Sequence, residues 1–174
     1  MVFVRVLLTA VLLGTAVVLQ TVVLSRIPLP GATPDLVLRV VVSLALVHGS
    51  TIGCVVGFAA GLLLDVVPPA DGQVGQWALV LALVGWFSGR AADAAEGSAL
   101  VPVFVVAMAS MGAVLGYAGV GFALSDPRVT GTSVLDALPT AVLYDVLLAP
   151  FLVPLLTRLA RRVEPSTTYA RTFR

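Results

Sequence analysis

Gly49-Ser50-Thr51-Ile52-Gly53-Cys54-Val55-Val56-Gly57-Phe58-Ala59-Ala60-Gly61-Leu62-Leu63-Leu64-Asp65 places a glycine at every fourth position and closes on a carboxylate. In water so many glycines weaken a helix, because each gives up more backbone freedom than alanine. In lipid an open backbone leaves amides without partners, so the segment is helical regardless. The missing side chains then form a groove into which another helix can press. A helix turns about 100° per residue, so a four-residue step drifts by about 40°. Gly57, Gly61 and Asp65 therefore share one face, and Gly49 has rotated away from it. The stretch reads as an intramembrane packing helix that ends in a carboxylate. It serves either close packing alone or a more specific contact made through Asp65.

Composition points the same way. The chain has 174 residues, of which 59% are hydrophobic and 11% charged, with a mean hydropathy of +1.09. A soluble domain normally carries about a quarter charged residues. Apolar runs near the 20-residue membrane span recur along the sequence. The expected fold is an all-α integral membrane protein, a polytopic bundle of about six transmembrane helices over residues 1–158, followed by a basic tail over 159–174. A net charge of +1 gives no sign of nucleic acid as a partner. All ten basic residues are arginine. The one cysteine, Cys54, cannot form an internal disulfide, and no Cys/His cluster suggests a metal.

In chain order the spans are expected at about Phe3–Leu24, Asp35–Val47, Ser50–Val67, Val74–Ser88, Ala99–Leu124 and Val134–Leu156. The first is read as a retained span. Spans two and three are near or below the lower length limit and suit a tilted hairpin or a pair that does not fully cross. Ser25–Pro34 and Pro68–Gly72 are proline- and glycine-rich loops, and Arg90 to Glu96 reads as a polar loop. Thr33-Pro34-Asp35 reads as a helix start, with Thr33 as N-cap. Trp77 and Trp86 suit an aromatic belt. Span five, with Ala109, Gly112, Gly116, Gly119 and Gly121, offers a second packing groove. Pro139, Pro150 and Pro154 are expected to bend span six. Arg158, Arg161, Arg162, Arg171 and Arg174 place the C-terminus in the cytoplasm. Arg5 agrees for the N-terminus, and six spans return both ends to one side.

The polar residues inside the spans are few. Gln20 is either an interfacial amide or a partner for another helix. Asp35 and Arg39 are spaced to pair on one face. Arg39 either snorkels outward or turns inward to a carboxylate of another span. Asp145 is the deepest acid, either a functional group or a structural partner for Arg39. His48, the only histidine, is placed at the interface.

Nothing in the sequence sets up catalysis: there is no nucleophile elbow, no phosphate-cradling loop and no metal spacing. A scaffold for other membrane proteins and a substrate-binding transport subunit both fit grooves of small residues with a few buried charges.

The run Pro34-Asp35-Leu36, then Gly49, Gly57-Phe58-x-x-Gly61-Leu62-x-x-Asp65 and Gly75-x-x-Ala78-Leu79, resembles the MreD family of bacterial rod-shape-determining membrane proteins. Gln20 and Pro150 fit as well. The loop from Pro68 to Val74 is longer and more acidic than the pattern, and Asp145 is not aligned with it. The resemblance implies a non-enzymatic component of the cell-wall elongation machinery, without cofactor, in the cytoplasmic membrane. It implies binding to MreC and, through it, links to MreB filaments, the RodA-type glycosyltransferase and its transpeptidase. It also implies a fold similar to the S components of energy-coupling-factor transporters. The alternative is therefore the substrate-binding subunit of a vitamin-type transporter. On this reading the Gly57/Gly61 face and the Pro34-Asp35 start shape a groove for a partner helix, with Asp65 and Arg39 fixing its register. A bulky residue at Gly61 is then expected to abolish binding to MreC without unfolding the bundle.

Overall fold

The computed structural model describes residues 2–26, 33–67, 73–98, 100–126 and 129–161. The helices are α1 (Val2–Val18), α2 (Leu36–His48), α3 (Ser50–Val66), α4 (Gln76–Gly89), α5 (Ala92–Glu96), α6 (Leu100–Ala123) and α7 (Gly131–Arg161). No strand occurs among the described residues. The expected proline- and glycine-rich loops fall largely on residues 27–32 and 68–72, which lie outside the described residues, as does the tail from 162 onward.

α2 is the axis of the bundle. Every residue from Val37 to Leu46 is buried, and α1, α3, α4, α6 and α7 all pack on it. A helix apolar nearly all round has no face to give to solvent, so it takes the centre. At 13 residues it is about 20 Å long, short of the hydrocarbon thickness. α3 and α4, at 17 and 14 residues, are also shorter than the usual span. Three segments are long and apolar enough to span a membrane: Val6–Val23, Leu100–Ala123 and Gly131–Arg161. The expected six crossings thus resolve into three helices of spanning length and three shorter apolar ones packed among them. Val55, Phe58, Phe104, Leu135 and Phe151 point outward, at 51–75% exposure, as hydrocarbon-facing side chains do.

Several boundaries differ from the sequence reading. α1 runs on through a π-helical turn, Leu19–Val23, and a 3-10 turn, Leu24–Arg26. The Arg90–Glu96 stretch is not all loop, because Ala92–Glu96 closes one helical turn, α5. Short alanine-rich sequence favours that turn despite its charges. α7 begins at Gly131 and continues past Leu156 to Arg161, carrying Pro139, Pro150 and Pro154 inside it. Prolines remain within a membrane helix when neighbours compensate for the lost bonds. The boundary set at residue 158 therefore falls inside a helix.

Candidate functional site

The polar interior is built around the start of α2. Pro34 is buried, and Asp35 in extended conformation is the N-cap, its side chain accepting from the Leu38 N–H at 2.8 Å. Thr33, expected in that role, stands two residues ahead and is exposed. The carboxylate wins because it meets the positive end of the helix with a full charge. Two other helices supply the remaining acceptors. The Val37 N–H donates to Oε1 of Gln20 at 3.0 Å, and the Asp35 N–H donates to Oδ1 of Asp145 at 3.0 Å. Gln20 reaches α2 from the π-helical turn of α1, so its amide serves inside the chain. A helix start held away from water needs such acceptors, since its first amides have none of their own.

Asp145 also receives Arg39. Nη2 of Arg39 lies 2.5 Å from Oδ1 of Asp145 and 3.2 Å from the Tyr144 carbonyl. Of the two readings for Arg39 the structure takes the inward one: its side chain is fully buried. Ser110 of α6 lines the same cavity as this carboxylate. One acid thus joins α2 and α7. Nε and Nη1 of Arg39, and Oγ of Ser43 one turn further along α2, have no partner among the described residues. An ion pair so incompletely satisfied contributes little net stability, so its main effect is to fix how the helices meet.

The second polar device closes the α3–α4 hairpin. The Asp65 carboxylate accepts from the N–H groups of Gly75, Trp77 and Ala78 at 2.9, 3.1 and 3.1 Å. It therefore caps the next helix from the end of its own. Gly75 holds φ +98°, a left-handed backbone that side chains disfavour. The stripe that ends in Asp65 lies on α4. A Cβ at Gly53 would strike the Gly85 carbonyl, one at Gly57 the Leu81 carbonyl, and one at Gly61 the Trp77 carbonyl. Gly85 and Gly89 answer from the other side, against Gly53 and the Gly49–Ser50 backbone.

This corrects the expected groove. The Gly57/Gly61 face does take a helix, but that helix is α4 of the same chain, so a leucine at Gly61 would break the hairpin. Phe58 points away, half exposed. Gly85 and Gly89 were missed by the sequence reading, although their own four-residue spacing in span four signalled them. Ser110 and the buried Gln76, whose Nε2 donates to the Tyr117 carbonyl at 2.9 Å, carried no signal.

Among the described residues several concavities remain open, three of them sizeable. A cavity of about 580 Å³ lies between the starts of α2, α4 and α7 and the end of α6, with Asp35, Asp145 and Ser110 among its lining. Trp77 and Tyr117, with ring centroids 4.6 Å apart, form part of its wall. A cleft of about 560 Å³ opens at the opposite end. An apolar groove of about 480 Å³ runs between α4 and α6, along Leu83, Phe87, Phe104, Met108, Gly112 and Gly116. Among the described residues no three of His, Cys, Asp and Glu gather to hold a metal.

A family profile described as rod shape-determining protein MreD matches residues 1–163. The chain belongs to the MreD family. The match runs two residues past the end of α7 and so takes in every helix described. The chain matched no curated protein and no solved structure. In this MreD-family chain several of the residues singled out in the sequence sit at two joints. Gln20, Pro34 and Asp35 build the start of α2. Gly57, Gly61, Asp65, Gly75 and Ala78 build the α3–α4 hairpin.

Proposed function

We propose that this chain is a non-enzymatic membrane scaffold of the rod, or cell-wall elongation, complex. In this reading it holds the membrane helix of MreC in the α4–α6 groove. The observation that carries it is the groove itself: Gly112 has nothing within 4 Å of a Cβ position, while Phe87, Phe104 and Met108 beside it are 47–66% exposed. Without a hydrophobic drive between helices in lipid, association depends on close approach at such small residues. Membership of a shape-determining family supports the role. The α3 face, by contrast, is already occupied. Through MreC the scaffold reaches MreB and the RodA-type glycosyltransferase with its transpeptidase.

The proposed setting is the bacterial cytoplasmic membrane with both termini inside. Arg90, Arg158 and Arg161 lie at one end of the bundle, and Asp35, Asp65, Asp126 and Asp136 at the other. The basic end belongs to the cytoplasm. A photo-crosslinker at Met108 tests the reading. It is expected to capture the membrane helix of MreC, whereas one at Leu147, exposed on α7, does not. Capture from Leu147 and none from Met108 would place the partner elsewhere.

A second reading, a small-molecule transport subunit, rests on the cavity with its carboxylates and its Trp77–Tyr117 wall. A vitamin-type compound that raises the melting temperature of the purified chain would favour it.

A further inference from the structure

The cleft at the basic end joins two chemistries that the scaffold role leaves unused. Its deep wall is apolar: Leu46 from the end of α2, Val103 from the start of α6, and Ala149 and Val153 from α7. Its mouth carries Arg158 and Arg161, one turn apart in the last turns of α7 and both exposed. Among the described residues no hydrogen bond or ion pair engages Arg158, while Arg161 already has an interaction of its own. Asp93 of α5 does not line the cleft. Pro150 and Pro154 stand on the α7 wall. Each removes a helix hydrogen bond and disfavours straight packing against α6.

We infer that this cleft holds one anionic phospholipid, its phosphate at Arg158 and Arg161 and an acyl chain along Leu46, Val103 and Val153. A cation at the level of the interface above an apolar slot matches an amphiphile with a negative head. A water-soluble anion would leave the slot unused, and a zwitterionic lipid would bring a positive group to the arginines. Basic pockets between membrane helices on the cytoplasmic side recognise anionic headgroups through this combination. The inference does not depend on which partner helix the α4–α6 groove takes, because the two concavities share no lining residue.

The test is native mass spectrometry of the full chain purified in mild detergent. Dioleoylphosphatidylglycerol, dioleoylphosphatidylcholine or inorganic phosphate is added in separate arms. One phosphatidylglycerol is expected to stay bound, phosphatidylcholine is not, and excess phosphate does not displace the lipid. Arg158→Gln is expected to lower retention about fivefold, the factor for one arginine near an anionic headgroup. Val103→Trp, which fills the slot, abolishes retention, and Arg26→Gln at the opposite end leaves it unchanged. Arg158 is exposed, so an unchanged melting temperature separates lost binding from lost folding. Equal retention of both lipids, displacement by phosphate, or full retention in Arg158→Gln would overturn the inference.

Discussion

Arg39 of α2 donates through Nη2 to Oδ1 of Asp145 on α7 at 2.5 Å, 106 residues along the chain, and neither side chain exceeds 2% exposure. The same carboxylate accepts the Asp35 amide. The bundle is therefore keyed at one buried acid, and its removal should be felt well beyond one contact.

Asp145→Asn is expected to destabilise the protein by about 3–5 kcal/mol, the cost of leaving a buried guanidinium without its partner. Pairing it with Arg39→Met removes the stranded charge and restores part of that loss. Thermal unfolding in detergent measures both variants. Strictly additive losses would show that the two side chains do not act as a pair.

At the hairpin, Gly57→Ala and Gly61→Ala each push a methyl group into the α4 backbone. A loss of about 1–3 kcal/mol is expected, as for other over-packed sites. Gly112→Ala meets open space and should stay within about 0.5 kcal/mol of the parent. Melting temperatures in one detergent rank the three. A neutral Gly61→Ala would mean that α4 does not lie against that face.

Asp65→Ala leaves three backbone donors without their acceptor, and should cost about 2 kcal/mol or more. Hydrogen exchange at the Gly75, Trp77 and Ala78 amides should accelerate in that variant. Gly75→Ala is a milder lesion, about 1–2 kcal/mol, from forcing a side chain into left-handed backbone. Unchanged exchange at the three amides in Asp65→Ala would remove the cap from the account.

Gln20→Leu strips the Val37 amide of its acceptor. A loss of about 1–3 kcal/mol is expected, with faster exchange confined to the first turn of α2. Faster exchange throughout α1 instead would mean that Gln20 holds α1 rather than capping α2.

Much of this was legible in the sequence. The glycine stripe from Gly53 to Gly61 announced a close helix contact, and composition announced the membrane. What it could not name was the occupant. A stripe of small residues states that something comes near, and only three-dimensional adjacency shows that Leu81 and Gly85 of the next helix do. The inward turn of Arg39 stayed open for the same reason, since Asp145 is distant in sequence. Thr33 and Asp35 both suit an N-cap by residue type. The choice fell to Asp35 because its amide also meets Asp145, a contact no local pattern encodes. α7 keeps helical form across three prolines, which local propensity does not register.

The hairpin face is filled from within, and the α4–α6 groove is the proposed seat of the partner helix. Co-purification of MreC with Gly112→Leu, scored beside the melting temperature of that variant, tests it most directly. The account predicts an unchanged melting temperature and at least a tenfold loss of bound MreC. Full binding by a folded Gly112→Leu chain would contradict it.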